Sequence, residues 1–548
     1  MPSGDQTKSS QPLGLRLVAA LFPHPVSSPQ LIETHISWIV LTGDFAYKIK
    51  KPVRFDFLDY SSLELRRRHC ERELEIGRRY APEIYLDVVP IIADGERLTV
   101  GEANGTIVEY AVKMRQFDQA CLLDRQLSAG QIAAAEMDAL AAQLARYHTD
   151  AARVKSSAED ACARAIAPAM ENFDYLLAHL GHAQNLDSFP LSEPRGKGQD
   201  EGAPEFSDQL ANDSQQREAV ERLRNWSANQ SSNLREWFAA RSGSGAVRDC
   251  HGDLHLSNLL RIEGRFLAFD PIEFNDRLSQ IDTINEAAFL MMELHEHGFR
   301  THSNRFINQY VEETGDYDGL RGLVYYLVSR AMVRAKLDLI RHTQTAGKQL
   351  TVLTKAGWRY MQYAQRVAAP AQPELWIMHG FSGSGKSTVA MRLVEERGLF
   401  RLRSDVLRKQ LLGIAPLGKT PDDRLDEAYS SALTDRVYRR LAEVAEQVLS
   451  SGFGVIADAT FLKHSQRLQF AGLAARLRVP FRIVDCAAPI AELERRLSQR
   501  GPDPSDANHD VLRHQIANHD PLTAAERKTI EPEFARIPHC RARGPESR

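Results

Sequence analysis

Two clusters in the chain carry residue types and spacings suited to chemistry on phosphate. The first is Gly380-Phe-Ser382-Gly383-Ser384-Gly385-Lys386-Ser387-Thr388, a G-x-x-x-x-G-K-[ST] run. Its glycines let the backbone wrap around an anion without Cβ clashes. The loop amides and the following helix N-terminus then face that anion. Lys386 is placed for the β- and γ-phosphates of ATP, and the Ser387 hydroxyl for Mg²⁺. The second is His251-Gly-Asp253-Leu-His255-Leu-Ser-Asn258, the H-x-D-x-x-x-x-N spacing of a phosphoryl-transfer loop. There Asp253 would orient a substrate hydroxyl and take its proton, and Asn258 would hold Mg²⁺. Asp270 closes the run 266–270 and stands where a second metal ligand belongs. His251 is expected to shape the loop by hydrogen bonding.

Further residues fall around each cluster. Residues 400–404 read as a strand that delivers Asp405 to its carboxyl end, where a carboxylate faces a ligand crevice and can accept a hydroxyl proton. Arg408, three positions on in a helix, shares that face and could hold a substrate anion. A simple N-cap is the plainer reading of Asp405. The strand 454–460 ends in Asp458, a Walker-B-like acid for Mg²⁺. The helix 493–500 carries arginines, and Arg496 and Arg500 could close over the phosphates; a solvated face is the alternative. Upstream, Phe45-Ala-Tyr-Lys48 fits the A-x-K pattern of a phosphate-pairing strand lysine, with Lys50 on the same face. Its acid partner lies in 70–74, with Glu73 chosen over Glu71.

These residues need elements to hold them. Residues 35–41 and 45–49 are β-prone runs flanking Gly43-Asp44, a hairpin signal. Residues 61–79 read as a charged helix, and 85–92 and 107–117 return to strand. From about 130 to 368 the pattern is helical, apart from β-like runs in 247–271. Residues 188–215 look like a flexible insertion and 366–373 like a linker. Beyond the linker, strands and helices alternate, the pattern of a parallel sheet.

Composition sets the outer bounds. The chain has 548 residues, 43% hydrophobic and 26% charged, which excludes a disordered or fibrous class. Lys+Arg 69 against Asp+Glu 72 leaves a net charge of -3, so no global field draws it to nucleic acid or anionic lipid. The 6 cysteines are scattered without zinc spacing, as in a reduced cytoplasmic protein. No run approaches the ~20 apolar residues of a membrane helix. Residues 13–22 read as a first helix and not as a signal peptide.

The C-terminal region, about 374–540, resembles small P-loop kinases labelled AAA-type ATP-binding proteins, among them zeta toxins, polynucleotide kinases and gluconate-kinase-like enzymes. The resemblance rests on 380–388, Ser404-Asp405-x-x-Arg408, Asp458-Ala-Thr460 and the arginines near 495–500. The region 1–365 resembles the aminoglycoside phosphotransferase and choline-kinase-like family through 251–258 and Asp270. It departs from that family in having Asp-Pro-Ile-Glu after the strand and no G-x-G-x-x-G loop. The whole layout resembles bacterial bifunctional aminoglycoside phosphotransferase and ATP-binding proteins.

The resemblance implies an α+β protein-kinase-like N-terminal domain, then an α/β P-loop NTPase domain with a parallel sheet and a short tail, 541–548. It implies ATP and Mg²⁺ as cofactors and small-molecule hydroxyls as partners. The neutral charge balance disfavours nucleic acid, a polynucleotide end staying open as an acceptor for the C-terminal region, and no membrane is expected. The expected activity is two phosphoryl transfers, based on Asp253 and Asp405. The alternative is a P-loop kinase or ATPase whose N-terminal half only binds or regulates. A non-kinase P-loop ATPase is a third reading. Asp276, Asp282, Glu286 and Glu293 could line an acidic pocket, but an ordinary amphipathic helix accounts for them as well.

Overall fold

A computed structural model of the chain describes residues 13–55, 58–180, 213–346, 352–414, 418–499 and 508–531. Arg500, the tail and nearly all of the 188–215 segment lie outside the described residues. Residues 213–215, expected at the end of that insertion, instead open the helix Asp213–Asn233.

The hairpin signal at Gly43-Asp44 joins the antiparallel strands Ser37–Leu41 and Phe45–Lys50, with Ile39 opposite Lys48. A six-stranded sheet grows from this pair. Its order is Gln30–Glu33, Ser37–Leu41, Phe45–Lys50, Thr106–Arg115, Tyr85–Asp94 and Arg97–Val100, antiparallel throughout. Strand alternation sends Tyr47 and Ile49 to one face, where they pack with the helix Leu13–Val18. Ala46, Lys48 and Lys50 turn to the other face, which is covered by the helix Leu63–Tyr80. Ser62 caps that helix, its hydroxyl accepting from the Leu65 amide at 3.2 Å.

A helical lobe follows. The helix Thr283–Glu296 runs through its middle, with Ala287, Ala288, Phe289 and Leu290 fully buried. Glu286 and Glu293 are also buried, so an ordinary amphipathic helix does not account for these two acids. The Glu286 carboxylate instead meets His148 at 2.8 Å, and that of Glu293 pairs with Arg334 at 3.0 Å. Two short antiparallel pairs bracket the 251–258 loop. Val247–Asp249 pairs with Gln280–Asp282, and Leu259–Ile262 with Arg265–Ala268.

The expected linker begins later than the composition suggests. Residues 366–368 finish the helix Lys355–Ala368, whose apolar face includes Met361 and Ala364. Beyond it lies a parallel four-stranded sheet in the order Phe400–Arg403, Val455–Asp458, Leu375–His379, Phe481–Asp485. The helices Lys386–Arg397 and Ser431–Ser450 pack on it.

One apolar core runs through both halves, joining Phe306 and Tyr310 to Leu375, Phe400 and Tyr438. The helix Arg300–Thr314 makes the junction. Arg305 binds Asp138 at 2.8 and 2.7 Å and Glu395 at 2.7 Å, and Asn304 donates to the Glu395 carbonyl at 3.1 Å. Among the described residues no helix is long and apolar enough to cross a membrane.

Candidate functional site

The strand Phe45–Lys50 turns Lys48 toward the helix Leu63–Tyr80 and the 265–270 run. Its ammonium lies 2.8 Å from Glu73 Oε1 and also pairs with Asp270. Lys50, 1% exposed, lies 2.7 Å from the other oxygen of Glu73 and pairs with Glu273, which also accepts from the Tyr60 hydroxyl. Burial opposes charge on both lysines. Asp270 and Glu73 outweigh it at Lys48, and Glu273 and Glu73 do so at Lys50. Both pKa values are therefore held well above the ordinary one. Glu71 lies away from this site, binding Arg67 on the helix surface at 2.9 Å.

The 251–258 loop faces this cluster. Gly252 has φ +86, and a Cβ there would come within 2.8 Å of the Leu278 carbonyl oxygen, so the turn requires glycine. The Asn258 amide donates to the Asp253 carbonyl at 3.0 Å and to its carboxylate at 3.2 Å. His255 stands 3.4 Å from Asp253. Burial pushes the Asp253 pKa up, but His255 and then His251 pull it down further, leaving it well below the usual carboxylate range. Asp253 is therefore ionised at neutral pH and able to accept a proton. His251 is depressed by burial and so neutral, and its Nε2 lies 3.0 Å from the Phe269 carbonyl. That contact is the shaping role expected of it. Asp270 adopts φ +60, its amide donating to the Tyr85 hydroxyl at 2.8 Å.

Sequence reasoning missed two supports. Glu273 joins the Asp270 turn to Lys50, and the only signal was the Asp-Pro-Ile-Glu run. Glu286 accepts from the Gly252 amide at 2.6 Å and lies 2.8 Å from His148, which in turn is 2.7 Å from the Tyr310 hydroxyl. Glu286 and His148 also approach the buried Cys250. Glu286 and His148 are engaged with each other, and Glu286 with the loop, so the group acts as a strut beneath Gly252.

In the C-terminal half the strand Leu375–His379 leads into the glycine loop. Gly380 has φ +140, and a Cβ there would lie 2.4 Å from the Cys486 carbonyl oxygen. Gly385 caps the helix Lys386–Arg397. Ser382, Gly383, Gly385, Lys386, Ser387 and Thr388 line a cavity of about 770 Å³. Asp405, Arg408, Asp458 and Arg496 line the same cavity. Gly380 and Ser384, also expected at the nucleotide, are not among the lining residues, and Ser384 is buried.

Lys386 folds over the loop, donating to the Phe381 carbonyl at 2.7 Å. Arg496 reaches the Gly383 carbonyl at 3.3 Å and binds Glu492 at 2.6 Å. Asp405 sits in the first turn of the helix Ser404–Leu411, whose N-cap is Arg403, so Asp405 is not the cap. Arg408 stands 3.9 Å from Asp405 and donates to the Ala428 carbonyl at 2.9 Å.

Asp458 is 6% exposed, and its Oδ2 has no hydrogen-bond partner among the described residues. Burial raises its pKa against the pull of Arg401, Lys386 and a Ser387 hydrogen bond. A buried, unpartnered carboxylate oxygen beside a hydroxyl suits a hard cation. Gln515 was not foreseen. From the helix His509–Ala517 it accepts from the Ser382 amide at 2.9 Å and donates to the Ser382 hydroxyl at 3.0 Å. Arg403 was also missed, although it lines the cavity.

Residues 375–522 match the family model of an AAA domain. With the parallel sheet and the glycine loop, this identifies the C-terminal half as a P-loop NTPase-like domain. Uncharacterized proteins of Mycobacterium bovis and Mycobacterium tuberculosis are 28% identical over 491 residues, covering 89% of this chain and 90% of theirs. A sugar kinase from Janibacter sp. is 23% identical, covering 28% of this chain and 82% of that one, with a TM-score of 0.21. An APS kinase of Mycobacterium tuberculosis, solved with AMPPNP and APS, is 29% identical, covering 23% and 69%, with a TM-score of 0.19.

Proposed function

We propose that the chain is an ATP-dependent phosphotransferase with two phosphoryl-transfer sites, each passing the γ-phosphate to a hydroxyl of a small molecule. The observation that carries the reading is the meeting of the glycine loop, Lys386, Asp405 and the unpartnered Oδ2 of Asp458 in one cavity. Its volume suits a nucleotide with a small acceptor. In this reading Asp405 takes the acceptor proton as the acceptor oxygen bonds to the γ-phosphorus. The bond from that phosphorus to the β–γ bridging oxygen breaks, and ADP leaves. Lys386 and Arg496 stabilise charge on the phosphates, and Arg408 holds the acceptor. Asp458 and Ser387 would hold Mg²⁺, which neutralises phosphate charge when bound.

The N-terminal half, about 1–365, is proposed as an aminoglycoside phosphotransferase or choline-kinase-like unit joined through 366–373 to the P-loop unit, about 374–540. The Lys48–Glu73 pair, its contact with Asp270 and the ionised Asp253 support this. Asn258 and Asp270 would hold the metal there. A cytoplasmic setting is proposed from the unpaired Cys70, Cys121, Cys162, Cys250 and Cys486. The second reading, an N-terminal half that binds or regulates without transfer, is favoured by one contact: Glu312 of that half grips Arg403 at the C-terminal cavity.

The test is transfer of label from γ-labelled ATP into a bacterial metabolite extract by wild type, Asp253→Ala and Lys386→Ala, each checked for folding. Two products, each lost in a different variant, are expected. A single product lost only with Lys386→Ala would withdraw the two-site reading in favour of the second. No transfer by wild type would withdraw both.

A further inference from the structure

The P-loop cavity is not built by its own half alone. Arg401 and Arg403 alternate onto one face of the edge strand Phe400–Arg403, and Arg403 lies in register with Asp458 on the neighbouring parallel strand. The helix Arg300–Thr314 of the N-terminal half covers part of that face. Near its end Glu312, 3% exposed, takes Arg403 in a two-pronged pair, with Nε at 2.7 Å and the second contact through Nη2. The helix is fixed where it does this, because Arg305 and Asn304 bind Glu395, and Asn308 reaches the Leu399 carbonyl at 3.5 Å. Arg401, 5% exposed with an Nε that has no hydrogen-bond partner among the described residues, adds a buried guanidinium on the same strand face as the partly buried Arg403. Two cations therefore stand next to the acid that faces the phosphates, and one carboxylate from the other half holds the cavity-lining one.

We propose that Glu312 is a positioning residue for the C-terminal site: by gripping Arg403 it keeps that guanidinium from pairing with Asp458, and so keeps Asp458 available to Mg²⁺–nucleotide. This rests on the nucleotide reading of the cavity. Without that grip, Arg403 can turn toward carboxylates that line the cavity, Asp458 on the neighbouring strand among them, and compete with the cation there. The electrostatic influence of Arg403 on Asp458 is already present in the folded chain.

The experiment measures Mg²⁺-dependent binding of a fluorescent ATP analogue to the full chain, with thermal melting as the folding check. For Glu312→Gln, the Mg²⁺ concentration giving half-maximal binding is expected to rise roughly tenfold. The double variant Glu312→Gln/Arg403→Gln is expected to recover most of that loss, because the competing cation is gone. A residue that merely held the fold would show no such rescue. Should Glu312→Gln fail to fold, Arg403→Lys serves instead. It keeps the charge but loses the two-pronged grip, and the same rise is expected.

A Mg²⁺ requirement unchanged in a folded single variant overturns the proposal, as does a double variant no better than Glu312→Gln. Binding by wild type without phosphate transfer would remove the proposed activity and leave this inference standing. A wild type that binds no Mg²⁺–nucleotide would remove both.

Discussion

At the scale of single residues, the proposed base Asp253 and the metal-facing acid Asp458 sit in opposed electrostatic settings. Asp253 is held low by His255 and His251 despite burial, whereas burial lifts Asp458. A carboxylate with a depressed folded pKa contributes stability above its unfolded value, about 3.9, and loses it as pH falls through the folded value. A raised one favours folding at low pH, and this contribution is lost as pH rises through the folded value. Asp458 therefore takes up its proton first on acidification, while Asp253 stays ionised. The Lys386-dependent product should fade at a higher pH than the Asp253-dependent product, and pH–rate profiles of the two would reveal the order. Asp405→Asn should lower kcat for the Lys386-dependent product by ~10²–10⁴-fold while nucleotide affinity changes little. Steady-state kinetics with separately measured ATP binding checks that split. Near-normal kcat would return Asp405 to a local structural role.

At the scale of elements, one carboxylate ties a strand to a helix. Glu73, 0% exposed, shares its two oxygens between Lys48 and Lys50. Removing the charge leaves two buried ammonium groups with less than their complement of anions. Glu73→Gln should cost about 3–5 kcal/mol of stability, measured by denaturant titration. Glu71→Gln, on the exposed face, should change stability by less than about 0.5 kcal/mol. The choice between these two acids could be made from the sequence only by assuming which helix face meets the sheet. Lys50 was legible as a second lysine on the strand face, but its partner Glu273 was not. That pairing spans |i−j| of 223, beyond the reach of local periodicity. Likewise Gln515 meets Ser382 at |i−j| of 133, and no spacing rule connects them.

At the scale of the whole molecule, the apolar core passes without interruption from the helical lobe into the parallel sheet. The helix Arg300–Thr314 belongs by sequence to one half and covers a strand of the other. A shared core of this kind couples the unfolding of the two halves. Far-UV circular dichroism and tryptophan fluorescence should therefore give coincident denaturation curves. Two separated transitions would instead indicate halves that fold independently across a weaker junction. Trp237 and Trp376, one in each half and both buried, report on both sides of that junction.

The sequence by itself determined what is local. The hairpin at Gly43-Asp44, the strand–loop–helix of 380–388 and Asp458 at the end of its strand follow from backbone preferences and periodicity over a few residues, whereas Asp405 falls in a helix and Asp270 two residues beyond its strand. Motif spacing likewise marked ten cavity-lining positions before any packing was known, from Ser382 to Arg496. Tertiary structure alone decided which charges meet. It paired Glu273 with Lys50, buried Glu286 as a strut beneath Gly252, and brought Glu312 across the junction to Arg403. The physical reason is that an ion pair's partner is set by the packing of apolar surfaces that bring distant segments together. That packing depends on the whole chain, whereas a turn or a glycine loop depends only on its neighbours.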